Sequence, residues 1–286
     1  MLKSFAKFVY ILIFLIDFLI KKLFKRSYLN FLYEYIRQNS YSKFNILNKD
    51  VKFFTPNYYT SLRVNTFYSK EPETLKWIDN FNEDKNIIFW DIGANIGLYS
   101  IYAALKFPKL KVIAFEPSLN NLPVLSRNIY INKLLDRISI SQFPLSNEEN
   151  KFLTFRENNF IEGGGLNAFG VKFDYENKSF EGKNNYKIFG SSINNILDNN
   201  ILEIPDYIKI DVDGIEHMIL EGGNKYLSNK KIKQIIVELN ESFKEQLDRC
   251  DKILKNNNFR FVKKDSADFD NKELYPTTFN YIYKKY

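Results

Sequence analysis

The run Ile87–Trp90 is continuous, apolar, and aromatic or β-branched, the pattern of a parallel strand buried on both faces. Beyond Gly97, the apolar residues Leu98, Ile101, Tyr102 and Leu105 recur at i, i+3, i+4 and i+7, which predicts a helix burying one face. Short apolar runs predict further strands at Lys111–Phe115, about Arg137–Ser141, Pro205–Ile210 and Gln234–Val237. Aromatic late strands are expected at Phe259–Val262 and Phe279–Tyr283, and helices over Thr74–Phe81 and Ser242–Leu254.

Residues 1–26 follow a different pattern. From Phe8 to Ile20 only Asp17 is polar, with Lys3 and Lys7 before the run and Lys21, Lys22, Lys25 and Arg26 after it. At ~1.5 Å per residue this run reaches only ~20 Å, short of a ~30 Å hydrocarbon core. The heavier positive cluster lies behind the run and no small-residue cleavage site follows it, which argues against a cleaved signal. Apolar residues occupy every face of the expected helix, so a membrane surface, a partner or the chain's own domain is needed to cover it. A spanning orientation would leave the following domain in the cytoplasm. Residues 27–80 form a cap in this reading: a helix at Ser27–Arg37, then short strands or loops over 38–69, whose composition is polar and aromatic.

Residues 81–286 make up the main domain, with an insert at about 146–204 that is too long for an ordinary loop. The insert alternates short apolar pairs with polar and Gly clusters, which predicts a β-hairpin region carrying a mobile loop at Glu162–Gly165. Its aromatic residues Phe160, Phe169 and Tyr175 are candidates for stacking on a sugar ring.

The chemistry begins in the turn after the first strand, Asp91-Ile-Gly-Ala-Asn-Ile-Gly97. Glycine permits positive φ and close approach of a ligand, so strand, Gly turn and helix N-terminus together make a cofactor cradle. A dinucleotide site wants three glycines spaced G-x-G-x-x-G, whereas here only Gly93 and Gly97 stand in the turn and Asp91 would repel a phosphate. A carboxylate suits a ligand carrying positive charge, such as the sulfonium and amino-acid end of S-adenosylmethionine. Glu116 ends the second strand and is placed to accept ribose hydroxyls of any adenosine cofactor.

Together with Phe115-Glu-Pro117, Lys209-Ile-Asp-Val-Asp-Gly-Ile-Glu216 and Ile236-Val-Glu238, this turn resembles the FkbM family of S-adenosylmethionine-dependent methyltransferases, over roughly residues 60 to 245. The segment Lys70–Ile78 is similar to the one preceding the first motif in many members. The resemblance implies an α/β class I methyltransferase (Rossmann-like) fold, a seven-stranded and mostly parallel sheet with helices on both faces. It implies methyl transfer to a hydroxyl of a sugar or glycosylated product. Cofactor contacts are then expected from Asp91, Gly93, Asn95, Gly97 and Glu116, with Ser146, in Leu145-Ser-Asn147, where adenine is contacted.

Asp211 ends a buried strand, where open α/β sheets bind ligands, and is the candidate general base for the acceptor hydroxyl. Lys209 lies two residues earlier on the same face, so it can pair with Asp211 and lower its pKa, which would make Asp211 a poorer base. Glu238 ends the next strand and is the alternative base, or a hard ligand with Asp211 for Mg2+, which related methyltransferases use but this sequence does not require. Asp213 and Glu216 have capping-box spacing, and His217, the single histidine, is expected on an exposed first helical turn. One departure from the family pattern is Ser192-Ile-Asn194, where members often carry Thr-Leu-Asp. That lost charge motivates a competing reading, a non-catalytic membrane-tethered binding module.

Composition narrows the rest. A net charge of +7 is spread along the chain and selects neither glycan, lipid nor nucleic acid. With one cysteine, Cys250, neither an intrachain disulfide nor a multi-cysteine zinc site can form, which fits a reducing compartment. The acceptor expected is a glycan, glycolipid or surface-polysaccharide precursor at the cytoplasmic face of a membrane. RNA ribose is the alternative acceptor, less favoured because no basic cluster or RNA-reading motif stands outside the N-terminal helix.

Overall fold

The computed structural model describes residues 1–82, 86–268, 272–273 and 275–286. The chain divides into two compact units, Met1–Tyr41 and Ser42–Tyr286, so residues 27–41 go with the N-terminal helix and 42–80 with the main domain.

The first unit is a helical hairpin of α1 (Leu2–Phe24) and α2 (Tyr28–Asn39), with Asp17 its one buried residue within these helices. Asp17 interrupts the apolar run for a local reason. Its Oδ1 accepts the Leu29 N–H at 2.8 Å and the Ser27 hydroxyl at 3.0 Å, clamping the start of α2 against α1. The Leu29 N–H in particular holds the carboxyl below its ordinary range. No helix among the described residues is long and apolar enough to cross a membrane.

The second unit begins with the hairpin β1 (Tyr41–Ile46) and β2 (Lys49–Phe54), followed by α3 (Tyr58–Asn65) and α4 (Pro72–Asp79). The strands accord with the expectation for 38–69, but α3 is an addition to it. Asn57 starts α3 through a capping box, its Oδ1 accepting the Thr60 N–H while Thr60 Oγ1 accepts the Asn57 N–H.

Next come β3 (Ile88–Ile92), α5 (Leu98–Lys106), β4 (Lys111–Phe115), α6 (Leu122–Ile131) and β5 (Ile138–Ser141). The insert supplies β6 (Lys151–Glu157), β7 (Asn167–Phe169), β8 (Asn184–Gly190) and α7 (Ile193–Asp198). The chain closes with β9 (Tyr207–Ile210), α8 (Glu216–Glu221), α9 (Asn224–Leu227), β10 (Gln234–Asn240), α10 (Lys244–Asn256), β11 (Phe259–Ser266) and β12 (Thr278–Lys285).

Seven strands form one sheet in the order β11-β12-β10-β9-β3-β4-β5. It is parallel from β10 to β5, and β12 runs antiparallel to both β10 and β11. Strand order reverses beside β3, which pairs with β4 on one side and β9 on the other; such a switch point opens a crevice at the strand C-termini. All five residues of β3 are buried, as its apolar run requires. Trp90 packs on Phe115 from one face, while on the other Phe81 stacks on Tyr207 with ring centroids 3.8 Å apart. The insert is a three-stranded antiparallel sheet, β7-β6-β8, as its alternating pattern foretold.

Candidate active site

The turn after β3 alternates positive-φ residues, with φ of 88° at Gly93, 51° at Asn95 and 88° at Gly97. A Cβ on Gly93 would stand 1.8 Å from the Asp211 carbonyl oxygen, so glycine there lets the turn close against the end of β9. Asn95 tolerates the left-handed region better than other side chains, and both its backbone and its side-chain nitrogen donate. Its N–H is accepted by Glu116 Oε2 at 2.7 Å, and its Nδ2 donates to Gly164 O at 2.7 Å. The other oxygen of Glu116 accepts the Ser118 N–H. Burial pushes Glu116 up to about 7 against these hydrogen bonds.

A cavity of about 730 Å³ opens over the C-terminal ends of these strands, within the range of small-molecule sites. Asn95, Glu116, Phe143, Leu145, Phe155 and Phe169 line it near β3, β4 and the insert. Arg63, Lys70, Asp211, Asp213, Glu238 and Tyr275 line it toward β9 and β10.

Asp211 follows Ile210 at the end of β9, and Glu238 follows its pair Val237, so the two acids stand side by side; Glu238 does not end its strand as expected, since β10 runs on beside β12 to Asn240. Lys209 Nζ donates to Asp211 Oδ2 at 2.6 Å from a fully buried position. Burial would raise Asp211, but Lys209, Lys70 and Arg63 outweigh it and hold the carboxyl below its ordinary range. Burial together with the Asp211 charge drives Glu238 well up, against the pull of Lys70. The two carboxyls of the couple are thus shifted in opposite directions. Burial alone would lower Lys209, yet Asp211, Glu71 and Asp91 raise it, so it remains a cation among three acids.

The other expected residues fall in several places. Asp91 is wholly buried and does not line the cavity; its Oδ2 accepts the Ser100 hydroxyl at 2.5 Å and it faces Lys209 across the β3–β9 pair. It therefore sits beneath the cavity wall and not on it. Ser146 is likewise not on the wall: its Oγ accepts the Glu148 N–H, and the wall there is Phe143, Pro144 and Leu145. Asp213 is not an N-cap, since α8 starts beyond Ile215; its carboxylate lines the cavity, accepts the Asn167 N–H, and is pushed up to about 6 by burial and Asp211. Glu216 does reach back, but onto the N–H groups of Val212 and Gly214, so it holds the loop that presents Asp211 and Asp213.

His217 is buried against Phe243, contrary to its expected exposure, and burial lowers it to about 4. Asn194 lies off the cavity, its Oδ1 accepting the Lys225 N–H at the start of α9. Of the three aromatics, Phe169 and Tyr175 line the cavity and Phe160 is exposed outside it. The Glu162–Gly165 loop, expected to be mobile, is tethered: Arg63 Nε donates to Gly163 O at 2.6 Å, and Asn95 and Asn121 both donate to Gly164 O.

Sequence reading missed Arg63, Lys70, Tyr58 and Tyr59, all on the cavity wall from the cap segment. The Asn57-x-x-Thr60 spacing was the available signal for α3, which carries three of them.

The residues fit S-adenosylmethionine. Asn95 Oδ1 is buried without a hydrogen-bond partner at the cavity, Glu116 keeps lone pairs for ribose hydroxyls, and nearby acids suit a cation. Magnesium fits less well. Among the described residues no group of three or more His, Cys, Asp or Glu could hold a metal ion, and Asp211 already has Lys209 bound and two further cations bearing on it.

Sheet order and strand-end acids define a class I methyltransferase fold. A family model described as the methyltransferase FkbM domain matches residues 91–261, more than half of the chain, and the chain belongs to this family. Methyltransferase sdnD of Sordaria araneosa is 38% identical over 91 residues, covering 32% of this chain and 35% of that protein. The AMB antimetabolite synthetase AmbE of Pseudomonas aeruginosa is 27% identical over 187 residues, 53% of this chain and 8% of that protein. The chain thus spans a minor part of either relative. Among solved structures, M. jannaschii TYW2 in complex with AdoMet matches with TM-score 0.44 and 12% identity, over 86% of this chain and 87% of that one. The precorrin-6y C5,15-methyltransferase of Geobacter metallireducens matches with TM-score 0.42 and 14% identity, over 76% and 87%.

Proposed function

We propose that the chain is an S-adenosylmethionine-dependent O-methyltransferase whose acceptor is a sugar hydroxyl of a glycan, glycolipid or surface-polysaccharide precursor in the cytoplasm. The observation that carries this reading is the Asp211–Glu238 couple on the cavity wall, with the buried Lys209 donating to Asp211. The bound cofactor supplies an electrophilic methyl group, its C–S bond breaking with the electron pair left on sulfur. Asp211 accepts the acceptor's O–H proton as the oxygen attacks, while Glu238 donates a hydrogen bond that orients that oxygen. Positioned proton removal of this kind contributes ~10²–10⁴-fold. Lys209 keeps Asp211 anionic, Asn95 and Glu116 hold the nucleoside, and the tethered Gly loop walls off water.

A sugar is favoured over RNA by the charge of the wall. Asp211, Asp213 and Asp268 face the cavity with Arg63 and Lys70, a poor setting for phosphate. Tyr175 and Tyr275, with ring centroids 6.2 Å apart, offer faces to sugar C–H groups. The test is incubation with methyl-labelled S-adenosylmethionine and separated lipid, glycan and RNA fractions of the source cells. Label in the glycan or lipid fraction is expected. Label in RNA alone overturns the acceptor, and cofactor binding with no label in any fraction favours the non-catalytic module.

A further inference from the structure

The α1–α2 hairpin has a surface that methyl transfer does not use. Along α1, Phe5, Val9, Leu12, Ile16, Leu19 and Leu23 follow one another at three- or four-residue steps, and all are exposed. These steps make one continuous stripe along the helix. Lys3, Lys7 and Lys21 stand on the opposite side: Lys3 and Leu12, Lys7 and Ile16, and Leu12 and Lys21 are each nine residues apart, about two and a half turns. The lysines are therefore sided, while the exposed Tyr10, Ile11, Phe14 and Phe18 carry apolar surface round to their side on the middle turns.

We propose that α1 lies in the plane of an anionic lipid surface, with the Phe5–Leu23 stripe in the acyl boundary and its lysines among the phosphates. Three observations converge on lipid as the occupant. No described helix can cross a bilayer, yet α1 is long and exposed along its apolar stripe, with lysines on the opposite side, which are the properties of an interfacial helix. Within the unit, Lys3, Lys7, Lys21, Lys22, Lys25, Arg26 and Arg37 outnumber Asp17 and Glu34, complementing anionic headgroups. The single acid of α1, Asp17, which would oppose insertion, is turned onto Ser27 and Leu29 and buried. Bringing the catalytic unit to a lipid surface raises its effective concentration toward a lipid-linked acceptor without any new contact at the cavity.

The test is flotation of the full chain with vesicles of phosphatidylcholine alone and with phosphatidylglycerol added, alongside its sedimentation behaviour without vesicles. Binding to the anionic vesicles is expected, and Leu12→Glu with Ile16→Glu should lower it at least ~10-fold while S-adenosylhomocysteine binding stays intact. Lys3→Gln, Lys7→Gln and Lys21→Gln together leave the apolar stripe in place and should bring anionic and neutral binding to within ~2-fold of each other. Absence of flotation on either vesicle overturns the proposal. So does a concentration-dependent dimer dispersed by the same two glutamates, since a second copy would then cover the stripe.

Discussion

Lys209 Nζ and Asp211 Oδ2 lie 2.6 Å apart, on a lysine that is 1% exposed. The same ammonium faces Asp91 across the strand pair and bears on Glu71, so one buried cation balances acids from three elements. Removing one partner of a buried pair leaves the other charge uncompensated. Lys209→Met should therefore cost ~3–5 kcal/mol of stability, measured by urea unfolding at pH 7. Adding Asp211→Asn to it should restore part of that loss. A cost below ~1 kcal/mol would show that the acids are balanced elsewhere.

Glu116→Gln tests the cofactor end of the cavity. The substitution keeps the size of the side chain but removes the charge that accepts the Asn95 and Ser118 N–H groups and would face the ribose. Hydrogen bonds to a charged group are worth ~1.5–3 kcal/mol, so calorimetric affinity for S-adenosylhomocysteine should fall ~10–100-fold. Unchanged affinity would move the nucleoside away from β4.

Glu73 gives a pH prediction away from the cavity. It is buried, its Oε1 accepts from Asn280 Nδ2 at 2.7 Å, Oε2 has no partner, and burial raises its pKa to about 7. A carboxyl raised on folding favours the native state below the unfolded value, and that contribution is lost as pH rises through the folded value. Glu73→Gln should thus exceed the parent chain in stability by ~2–3 kcal/mol at pH 8, with the difference vanishing by about pH 4. A difference that does not change between those pH values would contradict the assignment.

His217→Leu should leave the pH profile of methyl transfer unchanged, because the imidazole is buried against Phe243 and does not line the cavity. Burial lowers its pKa to about 4. Loss of an ionisation from the profile would place the histidine in the chemistry after all.

The fold was legible where burial and periodicity agree. Ile87–Trp90 is apolar because both sheet faces are covered, and it becomes a central strand; Tyr207–Ile210, broken only by the ion-paired Lys209, becomes its neighbour. Asp211, Glu238 and Glu116 were legible because strand ends at a switch point are where side chains meet. Asp91 was harder: Trp90 and Ile92 alternate into the core on one face, and Asp91 turns to Ser100 and Lys209 on the other. Which face the cofactor uses is not written in the motif. The cap residues Arg63 and Lys70 reach the cavity only through tertiary packing of a short polar helix and the turn after it, which periodicity does not encode. His217 was misread because Phe243, far along the chain, covers an otherwise exposed first turn.

The central claim is that Asp211 takes the acceptor proton, and single-turnover methyl transfer by Asp211→Asn beside Glu238→Gln measures it most directly. Both variants keep side-chain volume, and calorimetry with S-adenosylhomocysteine shows whether the site still assembles. Asp211→Asn should bind the ligand and lose ~10²–10⁴-fold in the methyl-transfer rate, while Glu238→Gln, which keeps a hydrogen-bond donor at that position, should lose less than ~10-fold. An Asp211→Asn enzyme that binds and transfers within ~2-fold of the parent rate would contradict the account.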